Sequence, residues 1–168
     1  RRLSRWSAAA RPGGMIDDPP VLLRAAFDAA VAAADPAAVL RDWRIPPGTG
    51  RIALVAVGKG AARMAAAVRP QLRDGDRALV VAGHGQAVDG ADGIELIRAG
   101  HPLPDAGSVA AADRALALAG GLGEGDLLLL LVSGGASAMR WRPLPGTELA
   151  DCIGASRALL ASGLAIGA

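Results

Sequence analysis

Aromatic residues are scarce in this chain: 168 residues contain three Trp, one Phe and no Tyr. Any core must therefore be packed from aliphatic side chains. Cysteine is represented once, by Cys152, which excludes an intramolecular disulfide framework. A reducing compartment, the cytoplasm, is the expectation, and Cys152 itself reads as a small core residue. Long apolar runs are missing as well. The longest clean one, Leu127 to Val132, has the length of a strand, far short of the roughly 20 residues of a membrane-crossing helix, so no membrane partner is expected. Lysine is nearly absent: Lys59 stands alone among 18 basic residues. The excess of positive charge is an end effect. Arg1, Arg2, Arg5 and Arg11 lie in an acid-free stretch, and without them 14 basic residues face 16 acidic ones, a net charge of −2. Such a body offers no basic footprint for nucleic acid.

What is present is apolar and turn-rich. Hydrophobic residues make up 52% of the chain, enough for a core, which excludes intrinsic disorder as the main state. The length fits one domain. The 23 Gly and 11 Pro suggest many short loops between compact elements. Residues 1–14, RRLSRWSAAARPGG, have the Arg-rich, acid-poor composition of a transit segment without a secretory apolar region. We read them as a tail outside the fold, with Met15 as the natural start.

From there the pattern alternates. Asp18-Pro19 starts a helix whose apolar stripe runs through Leu22, Leu23, Ala26, Phe27, Ala30, Val31 and Ala34. A short second helix carries Val39, Leu40 and Trp43. Ile52 to Val57 reads as a strand buried on both faces. The turn Gly58-Lys59-Gly60 leads into a helix with Ala61, Ala65, Val68 and Leu72 on one side. Strands follow at Ala78 to Ala82, ending in Gly83-His84-Gly85, and at Ile94 to Ile97, ending in Gly100-His101-Pro102. Asp105 can cap a helix with Val109, Ala112, Leu116 and Ala119 on one face. The strand Leu127 to Val132 runs into Ser133-Gly134-Gly135-Ala136-Ser137. Thr147 can cap a last helix with Leu149, Ile153, Ser156, Leu159 and Leu160 inward, closed by Gly163. This alternation predicts an α/β fold: a doubly wound, mostly parallel, Rossmann-like sheet with helices on both faces. In such folds ligands bind beyond the carboxyl ends of the strands. Gly58, Lys59, His84, His101 and the Ser133–Ser137 loop all fall there.

Several known site types can be tested against these residues. A dinucleotide fingerprint needs a small third residue where Arg63 stands and an acid at the end of the second strand, where Gly83-His84 stands. A Walker loop needs a glycine where Ala53 stands and a Ser or Thr where Gly60 stands. In the α/β-hydrolase order a histidine follows the nucleophile, yet His84 and His101 both precede Ser137. An anion-binding loop survives. Glycines let backbone N–H groups converge on one ligand and serine hydroxyls add donors. Lys59 would bring positive charge to a transferring phosphoryl group. The blander readings are a tight turn at Ser133–Ser137, a solvated lysine and loop histidines.

Four ordered segments resemble one family. Val57-Gly58-Lys59-Gly60-Ala61-Ala62-Arg63-Met64-Ala65, Gly83-His84-Gly85, Gly100-His101-Pro102-Leu103-Pro104-Asp105 and Leu131-Val132-Ser133-Gly134-Gly135-Ala136-Ser137-Ala138 are similar to motifs of the glycerate 2-kinases. These are enzymes with a C-terminal MOFRL domain, some of which carry a hydroxypyruvate reductase label. Ser156 to Gly163 also fits a helix of that family, and the resemblance covers roughly Leu22 to Ala168. It implies ATP-dependent, Mg²⁺-assisted phosphorylation of D-glycerate on its 2-hydroxyl. Under it Lys59 is the catalytic lysine, and Gly58, Ser133, Gly134, Gly135, Ala136 and Ser137 are the phosphate or substrate cradle. His84, His101 and Asp105 are further candidates; no metal ligand is assigned.

Two departures stand out: Ala136 replaces a family glycine and Met139 a leucine, and a glycine there that needed positive φ would be strained as Ala. The chain is also much shorter than family members. The expectation is therefore that residues 15–168 form the N-terminal α/β domain, with an incomplete sheet and no MOFRL domain, and that the exposed edge favours self-association, such as a homodimer. The alternatives are a non-catalytic anion- or nucleotide-binding module and a hydroxypyruvate reductase.

Overall fold

The computed structural model describes residues 18–164; the expected tail at 1–14 lies outside them. Four parallel strands form one sheet: β1 (Ile52–Val57), β2 (Arg77–Gly83), β3 (Glu95–Ala99) and β4 (Leu127–Val132), in the order β3-β2-β1-β4. The helices are α1 (Pro19–Ala33), α2 (Pro36–Val39), α3 (Ala61–Val68), α4 (Ala106–Gly120), α5 (Ala136–Met139) and α6 (Leu149–Ser162). The α/β architecture agrees with the alternation in the sequence.

Every residue of β1 is buried, as its unbroken apolar run requires. Its side chains alternate between two cores. Ala53, Val55 and Val57 join Leu79 and Val81 of β2 beneath Ala111, Ala115 and Leu118 of α4. On the opposite face Leu54 and Ala56 join Val80 and Ala82 beneath Ala61, Ala65 and Val68 of α3. The sheet is thus covered on both sides at its centre. Leu40 and Trp43 pack onto the α3 side.

Local interactions correct several boundaries and faces. β3 starts at Glu95 because the Ile94 N–H turns back to the Ala91 carbonyl. α3 stops at Val68; Arg69–Gln71 tighten into a 3₁₀ turn around Pro70, and Leu72 is extended. On α4 the inward face is Ser108, Ala111, Ala112, Ala115 and Leu118, while Leu116 is exposed. With Ala and Leu all round that helix the apolar stripe is nearly featureless, and the cap at Asp105 sets its phase. α6 is capped by Glu148 with Asp151, because the Thr147 hydroxyl donates to the Leu144 carbonyl instead. Leu149, Ile153 and Ser156 are half-buried, but Leu159 and Leu160 are exposed; Cys152 is half-buried too. The stripe of α1 forms as a helix, yet none of its residues is buried. β4 is an edge strand with alternating burial; Leu128, Leu130 and Val132 are 44%, 43% and 57% exposed.

Charged pairs fasten the periphery. Arg114 of α4 grips Glu95 of β3 through two parallel bonds of 2.7 Å, and that bonding holds Glu95 below the usual carboxylate range. At the opposite edge of the sheet, Asp126 accepts from the Arg51 N–H and guanidinium and from the Gly123 N–H, which lowers its pKa. No described helix is long and apolar enough to cross a membrane.

Candidate functional site

Strand order reverses beside β1: the chain winds from β1 through β2 to β3, then returns to place β4 on β1's free side. The carboxyl ends of β1 and β4 therefore flank a topological switch point, where open α/β sheets leave a crevice. The two glycine-rich turns meet there. The Lys59 N–H donates to the Gly134 carbonyl at 2.8 Å, and the Gly60 N–H donates to Ser133 Oγ at 2.9 Å. The Ser133 N–H donates to the Val57 carbonyl at 3.0 Å. The loops are thus one unit, although 73 residues separate the partners Gly60 and Ser133.

Close approach explains two of the glycines. Gly58 has φ +114°, and a Cβ on it would lie 2.5 Å from Ser133 Oγ and 2.6 Å from the Ser133 carbonyl oxygen. Gly135 has φ +90°, and a Cβ there would lie 2.8 Å from the His101 ring. Ala136, by contrast, is the first residue of α5, and no described non-glycine residue has positive φ. The strain expected from Ala136 is absent, because the left-handed position is one residue earlier. Met139 is buried and lines the site. Ser133 spends its hydroxyl on loop-to-loop bonds, whereas Ser137 is exposed.

The other two strand ends come to the same place. A cavity of about 140 Å³ is lined by Lys59, Gly83, His84, Gln86, His101 and Met139. A larger one, about 710 Å³, lies on the α3 side, where Lys59 meets Arg63, Asp35 and Asp89. Lys59 is exposed and borders both. Asp35 and Arg63 form an ion pair at the rim of the larger cavity.

Asp105 is the hub behind His84. Its Oδ1 accepts from the Gly100 N–H (2.9 Å), the Ser108 N–H (2.9 Å) and the Ser108 hydroxyl (3.2 Å), completing a capping box on α4. Its Oδ2 lies 2.6 Å from His84 Nε2. Partial burial pushes the carboxyl up, but the His84 bond and the donors from Gly100 and Ser108 outweigh it, leaving the pKa at about 2.

Two residues that spacing does not single out also shape the site. Gln86 Oε1 accepts from the Gly83 N–H at 2.6 Å, and Arg98 of β3 donates to the carbonyls of Gly83 (2.9 Å) and Gln86 (2.5 Å), fixing the turn that carries His84. The available signal was Arg98 itself, a half-buried charge between Ile97 and Ala99 in an otherwise apolar strand end.

Among the described residues no group of three or more His, Cys, Asp or Glu side chains could hold a metal ion. A Mg²⁺ bound through one or two carboxylates and substrate phosphates needs no such group. Asp89, which lines the larger cavity, offers one carboxylate.

Comparison with known proteins places this arrangement in context. Residues 22–168 match a family model described as "Domain of unknown function (DUF4147)". A protein of Agrobacterium vitis named "Putative hydroxypyruvate reductase" is 44% identical over 147 residues, covering 86% of this chain and 33% of that protein. The "D-glycerate 2-kinase" of Thermotoga maritima is 40% identical over 117 residues, covering 69% of this chain and 28% of that protein. The crystal structure of a glycerate kinase from Thermotoga maritima superposes with a TM-score of 0.74 at 34% identity, over 88% of this chain and 37% of the other. The chain spans a third or less of the length of these two curated relatives.

Proposed function

The chain belongs to the family described as Domain of unknown function (DUF4147), and on that premise we propose that its switch-point crevice serves a glycerate 2-kinase. The reaction is transfer of the terminal phosphoryl group of ATP to the 2-hydroxyl of D-glycerate, giving 2-phosphoglycerate and ADP. One observation carries the reading: Lys59 borders both cavities while its backbone is tied to the Ser133–Ser137 loop. The larger cavity falls within the range of about 300–1,000 Å³ usual for drug-sized ligands, which suits a nucleotide, and the smaller one lies below it, which suits a three-carbon acid. A lysine at their junction is placed to neutralise charge on a group passing between them. Phosphoryl transfer asks chiefly for positioning and charge neutralisation.

In this reading Lys59 is the catalytic cation. Gly58 and the segment Ser133, Gly134, Gly135, Ala136 and Ser137 form the phosphate or substrate cradle; they line neither cavity themselves and adjoin them through Lys59, His101 and Met139. Ser133 acts there through the loop it braces, and Ser137 offers the exposed hydroxyl. His84 and His101 line the acid's side. Asp89 would be the carboxylate available to a nucleotide-bound Mg²⁺, which would supply charge neutralisation. Residues 15–168 act as the first α/β domain of such an enzyme.

The name of the Agrobacterium relative favours a second reading, reduction of hydroxypyruvate. Against it, Arg63 stands where a dinucleotide turn needs a small residue, and β2 ends in Gly83-His84 with no acid for a ribose hydroxyl. The two are separated by assaying the chain with D-glycerate and Mg-ATP for ADP formation, and with hydroxypyruvate and NADH or NADPH for loss of absorbance at the nicotinamide band. ADP formation that depends on D-glycerate is the expected result. Nicotinamide oxidation without ADP formation overturns it.

A further inference from the structure

The carboxylate–imidazole pair at the cavity mouth has a defined polarity. Asp105 commits Oδ1 to the start of α4 and leaves Oδ2 for His84. An ionised carboxylate can only accept, so His84 Nε2 carries the proton of that 2.6 Å bond. In the neutral ring the remaining nitrogen, Nδ1, then bears a lone pair, and it has no partner among the described residues. The other polar groups around the 140 Å³ cavity do not duplicate that property. Lys59 is donor only, and Gln86 Oε1 is taken by the Gly83 N–H. His101 packs over Gly135 and has no carboxylate partner among the described residues.

We propose that His84, oriented by Asp105, accepts the proton of the substrate hydroxyl seated in this cavity, with Asp105 as its positioning residue. The proposal rests on the phosphoryl-transfer reading above. The hydroxyl O–H bond breaks and its proton moves to Nδ1. The oxygen's electron pair forms the new bond to the terminal phosphorus of the nucleoside triphosphate. The bond from that phosphorus to the bridging oxygen breaks, and its pair leaves on the nucleoside diphosphate. Nothing is oxidised or reduced, and His84 returns its proton to solvent. Asp105 keeps the ring from rotating and from taking the other tautomer, the role a buried acid plays behind a histidine base.

The two-histidine composition makes the ring ¹⁵N spectrum of the full chain simple enough to test this. His84 is expected as the Nε2–H tautomer, with its Nδ1 resonance moving when D-glycerate is added and staying still with propionate, which lacks the hydroxyl. Asp105→Asn keeps an acceptor for the α4 cap but turns an N–H donor toward His84, so the ring proton should move to Nδ1. The kcat should fall on the order of 10²-fold or more with KM for D-glycerate retained. His84→Gln, on an exposed turn, should give the same kinetic pattern if Asp105→Asn fails to fold. If D-glycerate shifts the Lys59 ammonium signal but not His84 Nδ1, or if His84→Gln keeps the wild-type kcat, this proposal is overturned and the kinase reading stands. If D-glycerate moves neither signal and no ADP forms, the kinase reading fails and takes this proposal with it.

Discussion

Replacing Gly58 by alanine tests whether the switch-point loops are held together as described. The φ of +114° costs an L-residue about 1–2 kcal/mol. The new Cβ would also sit 2.5–2.8 Å from Ser133 Oγ, carbonyl oxygen and carbonyl carbon. Two of those atoms are backbone, so the Ser133 turn must move. Moving it breaks the Gly60 N–H to Ser133 Oγ bond, and one such bond contributes about 1 kcal/mol. The expected loss is about 2–4 kcal/mol, which for a domain of this size lowers Tm by about 5–15 °C. Gly134 is the internal control: it lies in the partner loop, has no positive φ, and a Cβ there meets nothing within 4 Å. Gly134→Ala should stay within about 0.5 kcal/mol of wild type. Thermal unfolding followed by circular dichroism reads both. Equal Tm values for the two variants would show that the Gly58 turn does not need its close approach to Ser133.

Other perturbations have distinct signatures. Ser133→Ala leaves the Gly60 N–H without its acceptor and should cost about 1–3 kcal/mol in urea unfolding; a neutral result would mean that the backbone bonds Lys59–Gly134 and Ser133–Val57 suffice to hold the loops. Leu54→Ala opens a void at a position with no solvent exposure and should cost about 2–5 kcal/mol, measurable as a lower urea midpoint. Asp105 is lowered from its ordinary 3.8 to about 2. Its contribution to stability is therefore complete above the ordinary value and is lost as pH falls through about 2. Acid titration of wild type and Asp105→Asn should show their stability difference shrinking across that window; a constant difference would assign the effect to packing.

Much of this fold is legible in the sequence. Ile52–Val57 and Leu127–Val132 were legible to the residue, because unbroken apolar runs bounded by Arg51, Gly58, Asp126 and Ser133 leave little choice of ends. β3 was harder, since Glu95 and Arg98 interrupt its apolar pattern and Ile94 is pulled into a turn. The longer helices were legible, but their faces were not, and the short second helix ends at Val39, before Leu40 and Trp43. α4 is so rich in alanine that a one-residue rotation of its stripe costs the pattern nothing, and α1 presents a clear stripe that meets no core among the described residues. The clustering of Lys59, His84, His101 and Ser133–Ser137 followed from their common position after strands. Their wiring did not. The Asp105–His84 bond spans 21 residues, and the Gly60–Ser133 bond spans 73, with Lys59–Gly134 beside it. Asp105 was legible as a helix cap, but its second oxygen's partner depends on where β2 ends relative to α4, which only packing decides.

The most direct test of the central claim is a ³¹P NMR time course of the chain with Mg-ATP and D-glycerate, run beside Lys59→Ala. The account predicts growth of the 2-phosphoglycerate and ADP resonances in the wild type, and a rate lower on the order of 10²-fold or more in the variant. Equal rates in the two proteins, or a product phosphorylated at the 3-position, would contradict it.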